Sequence, residues 1–323
     1  MTIGTPPIRF LFLALFIANF AFADDWPIYL RDLAHTSYNP NETTLGKDSV
    51  KRLNHGWIRS VETTVSAAPT VVDGTLYAGA WDGFFYALDA TSGEVRWRTF
   101  AGVAPPPNDP VCFPGIGVAS QATVEGDVVY VAGGDSNVYA LNRATGDELW
   151  RVRISDPKGG AFLWASLFIY DGSLYAGLAS LGGCPLTRGG IARIDLANPK
   201  EPLFRYLAPE GEAGGGVWST PAIDVETNTL YLASGTGGQD QELGFFGATF
   251  MALDATTLEI KAHRFLDVRP LETDLEWGSS PVLFETADGE KLVAATAKDG
   301  FVYAFRRDNL ELKWKQELAI SCS

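Results

Sequence analysis

Residues 81–97 read WDGFFYALDATSGEVRW, and the stretch recurs. Residues 134–150 read GDSNVYALNRATGDELW, and residues 298–314 read KDGFVYAFRRDNLELKW. Tyr86 and Tyr139 stand roughly fifty residues apart, a period that belongs to stacked or radial repeat folds. A unit of this size cannot bury its apolar faces alone, so its neighbours must cover them.

Each unit contains four short strand-like runs separated by turn residues. In the first these are 68–72 (APTVV), 75–80 (TLYAGA), 84–89 (FFYALD) and 95–100 (VRWRTF). Units of this kind span approximately 67–100, 119–154, 164–207, 218–266 and 277–319. Four antiparallel strands per unit predict an all-β fold, a β-propeller of four-stranded blades. Residues 53–61, around Trp57, read as a further N-terminal strand. The connection 101–118 is rich in proline, which forbids a central strand there. Long connections at 179–190, 209–217, 234–247 and 267–276 are expected to gather at one end of the scaffold and to carry any function.

The net charge of −14 argues against nucleic acid or an anionic membrane surface as partner. Residues 1–23 read as a secretory leader: Arg9, an apolar run over 10–20, and Ala21-Phe22-Ala23 before two aspartates. That run is too short to span a bilayer, and no later stretch is apolar enough. The expected location is periplasmic or secreted, an oxidising setting in which three cysteines (Cys112, Cys184, Cys322) leave one over.

The repeats share A-x-D-x-x-S-G-x-x-x-W: Ala87, Asp89, Ser92, Gly93 and Trp97, then Ala140, Asn142, Thr145, Gly146 and Trp150. The fifth unit keeps Ala304 and Trp314 but has Asn309-Leu310 at the turn. Asp or Asn caps the turn backbone, Gly admits a positive φ, and Trp offers a flat face to the neighbouring blade. This pattern resembles the tryptophan-docking repeat of quinoprotein (PQQ-type) β-propellers. That family includes pyrroloquinoline-quinone alcohol dehydrogenases, polyvinyl-alcohol-dehydrogenase-like proteins and a non-catalytic outer-membrane-assembly scaffold. DWPIYLRDLAHTSYNP near the start, GLASLGGCPLTRGG (177–190) and GGGVWSTPAIDVETNTLYLASGT (214–236) are similar to the polyvinyl-alcohol-dehydrogenase-like branch. The family's ring usually has eight blades, with an N-terminal strand completing the last. About five units plus an N-terminal strand therefore imply an incomplete eight-bladed ring, the alternative being a small ring closed by that strand.

The resemblance also implies a site. Trp218 falls at the family's quinone-stacking position, Lys298 at its quinone-contacting basic residue, and Asp274 near its catalytic base, with Glu276 two residues on as the alternative. The plainer roles are a core aromatic, a solvated turn lysine and a solvated loop aspartate. Several family positions depart. Calcium-ligand positions are occupied by Cys184 and Thr236, the adjacent cysteine pair is reduced to Cys112, and a quinone-contacting Glu is aligned with Ser66. A thiol is a poor ligand for a hard cation, which disfavours calcium. Cys112 and Cys184 both fall in loops that meet at the family's active site, so the resemblance pairs them as a disulfide and leaves Cys322 free.

Two functions follow. One is an exported PQQ-dependent oxidoreductase acting on a small alcohol or a polymer. The other is a non-catalytic propeller that binds protein or polymer partners. No C-x-x-C-H is present for covalent haem, and His35, His55 and His263 lack metal-ligand spacing.

Overall fold

The computed structural model describes residues 25–61, 63–105, 115–182, 185–267 and 274–319. The leader and all three cysteines, with the Cys112–Cys184 pairing, lie outside these residues. Five four-stranded antiparallel sheets follow one another in chain order. Sheet 1 comprises Thr70–Val72, Thr75–Gly79, Phe84–Asp89 and Val95–Phe100. Sheet 2 comprises Thr123–Glu125, Val128–Ala132, Asn137–Asn142 and Glu148–Arg153. Sheet 3 comprises Phe168–Tyr170, Ser173–Ser180, Gly190–Asp195 and Leu203–Tyr206, with Ala161–Phe162 as an added strand on Ser173–Ser180. Sheet 4 comprises Ala222–Asp224, Thr229–Ala233, Thr249–Asp254 and Ile260–Phe265. Sheet 5 comprises Val282–Glu285, Lys291–Thr296, Phe301–Arg306 and Leu312–Glu317. Among the described residues no helix is long and apolar enough to cross a membrane.

The core is a series of layers between successive sheets. Val72, Phe85, Val131 and Leu141 pack between sheets 1 and 2, and Val138, Leu174 and Ile194 between sheets 2 and 3. Tyr175, Leu230 and Met251 fill the next layer, and Phe250, Trp277, Leu283 and Phe305 the last. A middle strand is covered on both faces, which is why Thr229–Ala233 is buried along its whole length. The last strand of sheets 1 and 2 is mostly exposed, and its sequence alternates charge with apolar residues.

The repeat motif acts as the expected dock. The side chain of Asp89 accepts from the backbone N–H of Thr91 and Ser92, and Asn142 does the same for Ala144 and Thr145. The Trp57 indole N–H donates to the Ala90 carbonyl at 2.9 Å, and that of Trp97 to the Arg143 carbonyl at 2.9 Å. The rings lie on Gly93 (φ 72°) and Gly146 (φ 77°), where a Cβ would come within 2.6 and 2.5 Å of them. Where no docking tryptophan arrives, the same turn position holds a buried leucine at positive φ, Leu258 (59°) or Leu310 (57°). Tyrosine hydroxyls then supply the donor: Tyr175 to the Ala255 carbonyl (2.8 Å) and Tyr231 to the Arg307 carbonyl (2.7 Å).

One expectation is corrected. Residues 53–61 form no strand, because no partner strand lies beside them among the described residues. What holds this segment is the Trp57 dock, which needs only one indole and one turn.

The segment before it has a role that its sequence did not announce. The innermost strand of each sheet has a free edge, and residues 26–35 run across four of these edges. Val71 N–H donates to Trp26 O (3.1 Å), Val124 to Pro27 (3.2 Å), Ile223 to Leu33 (2.8 Å) and Leu283 to Ala34 (2.9 Å). The buried His35 ring donates through Nδ1 to Pro281 O at 2.7 Å. Between neighbouring inner strands, Thr70 Oγ1 donates to Ala122 O (2.6 Å), Ser166 N–H to Thr220 Oγ1 (2.9 Å) and Thr220 N–H to Ser280 Oγ (3.0 Å).

Two outcomes test this scheme. Burial pushes the His35 pKa down to about 4, against the opposing effects of its bond to Pro281 and the charge of Asp32. The unfolded chain therefore takes up a proton near pH 6.5 that the folded chain refuses, and His35 loses its stabilising contribution as pH falls from about 6.5 towards 4. Denaturant titrations at pH 7.5 and 4.5 should differ by roughly 3 kcal/mol more in the parent than in His35→Asn. Trp97→Phe keeps an aromatic ring but removes the donor to Arg143, and should cost about 1 kcal/mol in the same assay.

Candidate functional site

A cleft of about 390 Å³ opens where the loops of sheets 3, 4 and 5 meet, lined by Trp164, Ala179, Ser180, Trp218, Thr236, Asp274, Glu276 and Lys298 among others. All four connections expected to carry function, 179–190, 209–217, 234–247 and 267–276, contribute to it. A second cavity of about 340 Å³ lies against the same two indoles, Trp164 and Trp218, and is lined by Tyr29, Gln121, Ser166, Thr220 and Ser280. The two tryptophans therefore stand between an outer cleft and the inner channel that the N-terminal segment crosses.

Each aromatic is fixed by its backbone context. Trp164 donates its indole N–H to Ser180 O (2.9 Å) and packs on Phe162 at 4.7 Å between ring centroids. Trp218 stands at the entry to sheet 4 and is half-buried. The Lys298 ammonium lies 5.4 Å from the centroid of its ring, within cation–π range.

Lys298 stands in the turn between the second and third strands of sheet 5, and two carboxylates hold it. Its Nζ is 2.9 Å from Asp274 Oδ1 and 2.8 Å from Glu276 Oε1. Burial works against its charge, but hydrogen bonds to Glu276 and Asp274, reinforced by their charges, outweigh that and hold its pKa above the ordinary lysine value. The two carboxylates have different surroundings. The Asp274 side chain is 79% exposed, whereas that of Glu276 is 11% exposed. Glu276 Oε2 accepts from both the backbone N–H and the hydroxyl of Thr236, the latter at 2.9 Å. Gly235 makes room for it, since a Cβ there would fall 2.6 Å from Glu276 Oε2 and 3.3 Å from Trp218 Cδ1.

Trp218, Lys298, Asp274, Glu276 and Thr236, singled out from the sequence, thus line one cleft. Ser66 lies apart, in the inner cavity, where its hydroxyl accepts from the Trp81 indole at 2.9 Å. Cys184 lies outside the described residues. Trp164 was legible only as the start of a repeat, and its place in the same cleft as Trp218 comes from the fold, next to the added strand Ala161–Phe162.

The arrangement can receive a flat ligand against an indole, meet its oxygens with an ammonium, and accept a proton on an exposed carboxylate. Comparison with known proteins bears on which ligand. A family profile described as outer membrane protein assembly factor BamB matches residues 54–200. The polyvinylalcohol dehydrogenase of a Pseudomonas species is 24% identical over 337 residues, covering 92% of this chain and 51% of its own. The quinohemoprotein alcohol dehydrogenase of Comamonas testosteroni is 26% identical over 342 residues, covering 90% and 46%. The crystal structure of the Comamonas testosteroni enzyme superimposes with a TM-score of 0.72 at 22% identity, over 91% of this chain and 49% of that one. The chain spans about half the length of the curated relatives it matches.

Gly235→Ala tests the packing of the cleft. It should drive the Glu276 carboxylate from its seat, cost about 1–3 kcal/mol in denaturant titration and shift tryptophan emission. A neutral variant would contradict the placement of Glu276 against Gly235.

Proposed function

We propose that the Trp218 cleft binds PQQ and serves an alcohol dehydrogenase of the quinoprotein type, the chain being similar to quinoprotein-type β-propeller proteins over most of its length. The observation that carries the reading is the meeting, in one cleft, of the Trp218 indole, the Lys298 ammonium and the exposed Asp274 carboxylate.

The residues fit a planar, carboxylate-bearing quinone. Its ring system matches the indole face, and a cleft of about 390 Å³ lies within the range of cofactor pockets. Lys298 is the cation placed to meet quinone or carboxylate oxygens. When bound, the quinone would supply the two-electron acceptor for hydride from the alcohol carbon. Calcium fits less well. Thr236 gives its hydroxyl proton to Glu276, and the Lys298 ammonium sits between the two carboxylates. No group of three or more His, Cys, Asp or Glu side chains suited to a metal exists among the described residues. We assign no step to calcium.

Asp274 then takes the hydroxyl proton of the alcohol. Its Oδ1 is held by Lys298, which orients the carboxylate and leaves Oδ2 to face an incoming hydroxyl. Glu276 is unsuited to that role, since both of its oxygens are engaged by donors. The aromatic wall of Trp164 and the apolar side chain of Leu186 border the approach and suit the carbon skeleton of an alcohol. Export of the protein, resting on the leader at 1–23, belongs to the same proposal.

Titration of PQQ into the purified protein, with and without added calcium, should quench tryptophan fluorescence saturably, and Trp218→Ala should abolish the quenching. Asp274→Asn should retain binding while lowering dye-linked oxidation of simple alcohols or polyvinyl alcohol by a factor of about 100 or more. Absence of saturable quenching in a folded protein would rule out the quinone reading.

A further inference from the structure

We infer that Glu276 is a positioning residue, a buried clamp that joins sheets 4 and 5 and holds the Lys298 ammonium over the Trp218 indole. For its effect on a ligand the inference rests on the quinone reading above; the clamp itself rests only on contacts within the chain.

A carboxylate this buried costs several kcal/mol in desolvation unless donors surround it. Glu276 is 8% exposed and has such donors on both oxygens. Oε1 takes the Lys298 ammonium at 2.8 Å, and Oε2 takes the Thr236 amide and hydroxyl. The backbone repeats the link, for the Lys298 N–H donates to the Glu276 carbonyl at 2.8 Å, and Trp277 bridges to Ala297 beside it. Thr236 follows the second strand of sheet 4, and Lys298 follows the second strand of sheet 5. Glu276 therefore ties two equivalent blade turns together through one side chain. A free lysine has about 2 kcal/mol of rotamer entropy to lose on being ordered. Here two carboxylates hold the ammonium before any ligand arrives, 5.4 Å from the centroid of the Trp218 ring.

The same contacts separate the two acids. Without Glu276, Lys298 would keep only Asp274, an exposed partner that cannot fix it. With Glu276 in place, Asp274 is left to exchange protons while Lys298 keeps its position.

The test is competitive acylation of lysines with a water-soluble N-hydroxysuccinimide ester, read residue by residue by peptide mass spectrometry on the full chain. Lys298 should react slower than exposed lysines in the parent and at least about 10-fold faster in Glu276→Gln, while circular dichroism shows the sheets intact. Glu276→Asp keeps the charge and should restore part of the protection. Should Glu276→Gln not fold, Thr236→Val removes one donor from the far oxygen and should raise Lys298 labelling by about 2- to 3-fold. Lys298 labelling that is unchanged in a folded Glu276→Gln, or already fast in the parent, would overturn the inference. PQQ titration of the same samples separates the two claims. At least about 10-fold weaker quenching in Glu276→Gln supports the clamp acting on the ligand. A labelling change with no quenching in the parent leaves the clamp standing and removes the quinone reading.

Discussion

The free inner edge of each four-stranded sheet is the constraint on which the rest of this structure depends. Unpaired N–H and C=O groups at the centre of a radial array are costly to leave without partners, and they also invite unwanted strand pairing. The chain answers in two ways. Hydroxyl and amide side chains at the starts of the units, Thr70, Gln121, Ser166 and Thr220 among them, bond to a neighbouring unit's inner segment. The segment 26–35 then crosses the axis and accepts from sheets 1, 2, 4 and 5 in turn. Its residues Leu30, Arg31 and His35 adopt positive φ to make those turns, a strain that the bonds across four sheets offset.

The site follows from this centre. With the inner edges fixed, Trp164 and Trp218, at the starts of adjacent units, both stand between channel and cleft. The outer loops bring one ammonium and two carboxylates in unequal surroundings to the cleft. Burial and three donors hold Glu276 in place, while Asp274 stays exposed, and the proposed function makes Asp274 the base. Division of labour between two nearby acids by environment alone is a general device for placing a base.

Much of this was legible from residues whose signals are local. The runs 84–89 and 95–100 are strands with those same bounds, because alternation, the Asp-capped turn and the following Trp all act within a few residues. The docking role of Trp57 and Trp97 was legible for the same reason. Leu310 concealed its turn, because positive φ signals itself through glycine, and a buried leucine replaces glycine where no indole docks. Residues 53–61 carry strand-like residues without a partner strand, which composition cannot reveal. The axial segment was unreadable because its bonds to sheets 1, 2 and 4 are backbone to backbone and carry no side-chain signature. Asp274 and Glu276 are two residues apart, and only the fold, which brings Thr236 from forty residues earlier onto Glu276, sets their surroundings apart.

The measurement that bears most directly on the central claim is a crystal structure of the protein grown with PQQ. The account predicts a planar tricycle lying parallel to the Trp218 indole, with the Lys298 ammonium on its oxygens and the Asp274 carboxylate facing the open side. Density for the ligand elsewhere, or a cleft that fills only with solvent while Lys298 stays bound to Glu276 and Asp274, would contradict it.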